Sequence, residues 1–192
     1  MSLQKINTRT IVLILMIIAA VAMRFVSYKF PYVLSNFTPV GAIALFGGAY
    51  FTDKWKAYLV VLITLFASDL VINYLYTATW SFGYDGAIWI YLAFAVMVFI
   101  GSFIKKADVM NVALGSLASV GVHWLITDMP WVHDASIYPH TLAGYGQALI
   151  AAIPFEKNMV LGDLIFCTLL FGGFELAKSR FTSLRSNKEL AV

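Results

Sequence analysis

Apolar residues run along this chain in long blocks separated by short polar breaks, the pattern that a bilayer imposes on helices that cross it. A crossing needs about 20 mostly apolar residues to match a hydrocarbon core roughly 30 Å thick. Five blocks meet that length, at residues 10–28, 57–77, 86–104, 109–127 and 159–177. A sixth, residues 39–52, is short, and Pro39, Gly41, Gly47 and Gly48 interrupt it. It fits either a short tilted helix or a re-entrant one. The connection between the fifth and sixth spans, Asp128 to Asn158, is the longest, and includes Pro130, His133, Asp134, Tyr138, Pro139 and His140. Within it, residues 142–153 are apolar but too short to cross. Pro154 is expected to stop that stretch, which reads as a helix lying in or dipping into the interface.

Basic residues in short loops stay on the cytoplasmic side, so charge decides whether the doubtful block crosses. If it does, Lys5, Arg9, Lys54, Lys56, Lys105, Lys106, Lys178, Arg180, Arg185 and Lys188 fall on one side, and only Arg24, Lys29 and Lys157 of the thirteen Lys and Arg fall on the other. A block that failed to cross would put Lys54 and Lys56 on the wrong side. The expectation is therefore an all-α polytopic membrane protein forming one domain over residues 1–192, with six transmembrane helices and both termini inside. Tyr76, Trp80, Tyr84, Trp124 and Trp131 gather near the expected outer boundary, as an interfacial aromatic belt does. One competing reading concerns Ala20-Val21-Ala22, which resembles a signal-peptidase site; cleavage there would leave five spans.

Composition sharpens this picture. Hydrophobic residues make up 61% of the chain and charged ones 12%, against roughly 45–50% and about 25% in soluble domains. The net charge of +3 comes from clusters at block ends, which speaks for orientation signals and against nucleic-acid binding. Cys167 is the single cysteine and lies inside an apolar block, so neither a disulfide framework nor a CxxC pair exists. It reads as a small core residue. Ala44-x-x-x-Gly48 and Gly115-x-x-x-Ser119 fit the small-xxx-small pattern of close helix contacts, and Glu175 is spaced to pair with Lys178.

Candidate chemistry lies in what a membrane should exclude, since a charge at the bilayer centre costs about 2.5–3.5 kcal/mol on insertion scales. Asp69 sits eight residues before the end of its block, hence roughly 12 Å deep, and Asn73 follows one turn later. Arg24 lies near the outer end of the first span, His123 and Trp124 near the outer end of the fifth, and Asp163 about one turn inside the sixth. Asn36 and Thr38 come in from the adjoining loop. Ligand-binding candidates are therefore Arg24, Asn36, Asp69, Asn73, His123, Trp124 and Asp163, lining an outward-facing pocket in which the charged groups fix a ligand's polar atoms and the aromatics pack its apolar part. The plainer alternative is that Arg24 pairs with Asp69 or Asp163 to hold helices together, with Asn73 bonding between helices. No HExxH, GxSxG, P-loop or dinucleotide glycine pattern occurs. Neither a cofactor nor a metal site is expected.

The segment from Asn36-Phe37-Thr38-Pro39 to Phe46-Gly47-Gly48-Ala49, together with Ser68-Asp69, Tyr138-Pro139-His140-Thr141, Ile153-Pro154-Phe155 and Gly162-Asp163-Leu164, resembles a family of prokaryotic six-helix membrane proteins. That family looks like the substrate-binding S components of energy-coupling factor (ECF) transporters. The resemblance covers most of the chain and implies a multi-pass protein of the prokaryotic inner membrane, capturing a vitamin-like compound or metal ion from outside and passing it inward with an ATPase-driven coupling module. It carries over to Asn36, Asp69 and Asp163. S components commonly dock their coupling subunit through Ala-x-x-x-Ala on the first helix, whereas Ala19, Ala20 and Ala22 lack that spacing. Uptake of a small molecule is the leading expectation. A non-transporting assembly subunit is the alternative, and a membrane enzyme using His123 and Asp163 as acid and base is a third.

Overall fold

The sequence places its smallest apolar residues, Gly41, Ala42, Ala44, Gly47 and Gly48, in one short block, and this block becomes the axis of the molecule. The structure is a computed structural model describing residues 8–31, 33–132 and 137–186. His133, Asp134, Lys5 and Lys188 lie outside the described residues. Every element among the described residues is helical. The order is α1 (Thr8–Ala22), α2 (Arg24–Lys29), α3 (Val40–Tyr50), α4 (Lys54–Thr77), α5 (Ala87–Gly101), α6 (Val109–Thr127), α7 (Leu142–Cys167), a π-turn (Thr168–Gly172) and α8 (Gly173–Arg180).

The short block forms a helix of eleven residues, of which ten are buried, the signature of a helix that is apolar all round. It packs most extensively on α5, then on α4 and α7, with α1 and α6 also touching it. Glycine makes the α3–α5 approach possible. A Cβ on Gly48 would run into the Val98 carbonyl and stand 3.0 Å from Gly101 Cα, and one on Gly101 would stand 2.8 Å from Leu45 Cα. Backbone thus meets backbone across this crossing. At the Tyr50 end of α3, the Phe46, Tyr50, Phe171 and Phe174 rings interlock with centroids 4.6 to 5.7 Å apart. There Arg9 donates to the Tyr50 and Leu184 carbonyls at 3.0 and 2.6 Å, and Glu175 takes the expected bond from Lys178 at 2.8 Å.

Four helical stretches are long and apolar enough to cross a membrane: Thr8–Lys29, Lys54–Thr77, Val109–Thr127 and Leu142–Arg180. The other two expected spans are shorter. Residues Val40–Tyr50 and Ala87–Gly101 reach only about 16 and about 22 Å at 1.5 Å per residue. A second difference lies at Pro154, which does not end a helix: α7 runs through it from Leu142 and continues through the π-turn into α8. The expected interfacial segment 142–153 and the expected last span 159–177 are one unbroken helical stretch. Proline removes one backbone donor, but Pro154 is exposed on the outside of the bundle, and helices of the membrane type tolerate the loss. Continuity through Pro154 puts every polar residue of α7 into a single helical register.

The chain leading into α3 is irregular and partly buried. The segment 33–39 is tied from both sides. Ser27 Oγ donates to the Phe37 carbonyl at 2.5 Å, Asn158 Nδ2 donates to the Ser35 carbonyl at 3.0 Å, and Gly162 lies close enough that a Cβ there would stand 3.1 Å from Thr38 N and O. Asn36 takes the left-handed conformation with φ 57°, which asparagine tolerates better than most residues.

Candidate functional site

Two polar clusters gather beside α5, the first meeting it at Tyr91 and the second one turn on at Phe94. The first gathers around Asp69. Its Oδ1 is 2.7 Å from Arg24 Nη1, which also donates to Ser68 Oγ. Its Oδ2 accepts from Tyr91 at 2.8 Å and from Tyr84 at 3.1 Å. Both carboxylate oxygens are engaged, and the side chain is only 7% exposed against 17% for Arg24. Burial, and then the adjoining Asp69 carboxylate, push the Tyr84 hydroxyl above the ordinary phenol range, so it remains a donor. The arrangement ties α2, α4, α5 and the α4–α5 loop together, in line with the pairing alternative for Arg24. Asn73, one turn beyond Asp69, is half-buried, and its carbonyl accepts from Thr77.

Tyr84 and Tyr91 also line a lateral groove of 1510 Å³ between α4 and α5, whose other walls include Trp55, Leu59, Phe66 and Trp89. The α4 side repeats at helical spacing, 55, 58, 59, 62, 63 and 66, so one face of that helix is left bare. Its apolar walls suit lipid chains or another helix.

The second cluster lies in the seam between α6 and α7. These helices run antiparallel, with Ser116 opposite Asp163 at 3.4 Å and His123 opposite Glu156 at 3.3 Å. Seven residues separate the two polar positions on each helix, so they recur on one face after two turns. Glu156 Oε1 also accepts from Asn36 Nδ2 at 3.4 Å. The imidazole Nδ1 lies 3.4 Å from Thr127 Oγ1, and its ring packs on Phe94 with centroids 6.0 Å apart, one turn along α5 from Tyr91. Trp124 donates through Nε1 to the Leu149 carbonyl at 3.0 Å, which fixes α6 to α7 beside this pair. Two buried polar atoms here have no hydrogen-bond partner among the described residues, Glu156 Oε2 and Ser119 Oγ.

Asp163, fully buried, has a different post. Its Oδ1 accepts from the Ala42 backbone N–H at 2.9 Å, so a carboxylate from α7 meets the first turn of α3, where free N–H groups and the helix dipole favour negative charge. Gly41 makes the room, since a Cβ there would stand 2.6 Å from Asp163 Oδ2. The expected candidates therefore separate into three groups: Arg24 and Asp69 in one cluster, Asn36 with His123 in another beside Trp124, and Asp163 as a cap for α3.

Glu156, Ser116, Ser119 and Tyr91 complete these clusters and are not among the ligand-binding candidates that the sequence marks. A signal for the first three exists in the spacing, since Ser116, Ser119, His123 and Thr127 share one face of α6, and Glu156 and Asp163 share one face of α7. It is visible only once α7 is taken through Pro154. No group of three or more His, Cys, Asp or Glu side chains placed to hold a metal ion occurs among the described residues.

Residues 4–184 match a family of unknown function, DUF6580, and the chain belongs to that family. No curated protein and no solved structure matches the chain.

Proposed function

We propose that this member of DUF6580 is a membrane subunit that binds a small molecule for uptake, in the manner of ECF S components, with both termini inside and the two polar clusters toward the outer face. The observation that carries this reading is the partly buried irregular segment before α3, which brings Asn36 against Glu156, the buried carboxylate that also meets His123. Non-helical backbone at membrane depth is tolerated where it is enclosed by protein or lines a cavity, and discontinuous helices with buried ionisable groups are where transporters place their ligands. A vitamin-like compound or metal ion is the substrate class this reading takes from the S-component resemblance, and an ATPase-driven module is the partner that would supply energy.

The experiment is thermal unfolding of the purified protein against a panel of vitamins, nucleobases and divalent metals. A specific ligand at 100 times its Kd adds about 2.7 kcal/mol of stability. The reading requires a saturable shift, measured from each protein's own unliganded melting temperature, that Asn36→Ala abolishes. A ligand whose shift survives Asn36→Ala would remove this segment from the site.

A second reading, a non-transporting assembly subunit, is favoured by the saturation of Asp69. With Arg24 and two tyrosines on its oxygens, that carboxylate is spent on joining helices. Stoichiometric co-purification with an enzyme complex, together with no shift across the panel, would favour it.

A further inference from the structure

We propose that Glu156 anchors the cationic nitrogen of the bound molecule, so that the substrate is an amine carrying N–H donors; this rests on the small-molecule reading above and names its ligand class. Glu156 is only 6% exposed, yet one of its two oxygens is unused. Oε1 takes both His123 and Asn36, while Oε2 has no hydrogen-bond partner among the described residues. A buried carboxylate oxygen without a donor is expensive, and the same seam holds a second such acceptor. Ser119, with no exposed surface, lies one turn before His123 on the same face of α6, and its Oγ is likewise without a partner.

The charge balance points the same way. Arg24, the guanidinium of the first cluster, is already held by Asp69, and Lys157 faces outward from α7. The α6–α7 seam is left with the Glu156 and Asp163 carboxylates against one imidazole. That environment repels an anionic group and gives a neutral one no ionic attraction. A metal ion fits poorly, because it would need several oxygen or nitrogen ligands converging on one point, and no such group occurs among the described residues. An ammonium binds through its own N–H donors, and Oε2 and the serine hydroxyl are the unpartnered acceptors of this seam. Phe94, packed on His123, adds an aromatic wall of the kind that cations favour.

The test is thermal unfolding in detergent with n-butylamine hydrochloride as the probe, with tetramethylammonium chloride and n-butanol as controls lacking N–H donors or charge. Butylammonium should raise the melting temperature saturably and the controls should not. Glu156→Gln should weaken the butylammonium response about 10- to 100-fold, the range for a hydrogen bond to a charged group. Ser119→Ala removes an unpartnered hydroxyl, so it should keep the unliganded melting temperature while weakening the response several-fold, and it serves if Glu156→Gln does not fold. An equal response to tetramethylammonium, no response to butylammonium, or one unchanged in both variants would overturn the proposal. A vitamin or nucleobase shift that depends on Asn36 and persists in Glu156→Gln would overturn this inference and leave the small-molecule reading standing.

Discussion

Replacing Asp69 by leucine strands the Arg24 guanidinium. In the folded protein Arg24 lies 2.7 Å from Asp69 Oδ1 at 17% exposure, and two tyrosine hydroxyls share Oδ2. The variant leaves a largely buried cation without its anion and two donors without their acceptor. Removing one partner of a buried pair costs about 3–5 kcal/mol, whereas exchanging both for apolar residues of similar size is often close to neutral. Asp69→Leu should therefore destabilise by about 4 kcal/mol and Arg24→Met by about 3 kcal/mol, while the double variant should lose no more than about 2 kcal/mol, a coupling of several kcal/mol. Equilibrium unfolding in mixed detergent micelles measures each free energy. Strict additivity in the double variant, or an Asp69→Leu loss below about 1 kcal/mol, would show that the pair is not the strut described above.

Other outcomes follow from single contacts. Gly48→Ala pushes a methyl into the Val98 carbonyl and the Gly101 backbone, so denaturant unfolding should register a loss of about 1–3 kcal/mol or more. Gly41→Ala displaces the Asp163 carboxylate from the start of α3; the loss of that cap should cost about 1–2 kcal/mol and speed hydrogen exchange at Ala42. Ala78 ends α4 in the left-handed conformation with φ 55°, so Ala78→Gly should stabilise the protein by about 1 kcal/mol in the same unfolding measurement.

Five of the helical blocks were legible in the sequence because they are long apolar runs with charge at one or both ends, and Arg24, Asp69 and His123 stood out because ionisable groups in such runs are rare. Two physical features hid the rest. The brevity of α3 was visible, but its central position was not, since that depends on Gly48 and Gly101 meeting across two helices far apart in sequence. Pro154 was a misleading stop signal: it removes a donor on the outer side of α7 and leaves the helix whole. Treating it as an end set Glu156 in a loop beside Lys157, where a carboxylate needs no explanation. With α7 continuous, Glu156 faces His123 two turns above Asp163. Tyr84 read as part of an aromatic belt, and only the fold brings its hydroxyl to Asp69.

The small-molecule reading is tested most directly by native mass spectrometry of the protein released from detergent after incubation with the ligand panel. The account requires a one-to-one adduct with a single compound class in the unaltered chain, lost in Asn36→Ala and retained in the Arg24→Met and Asp69→Leu double variant. An adduct that depends on the Arg24–Asp69 pair and ignores Asn36 would contradict it.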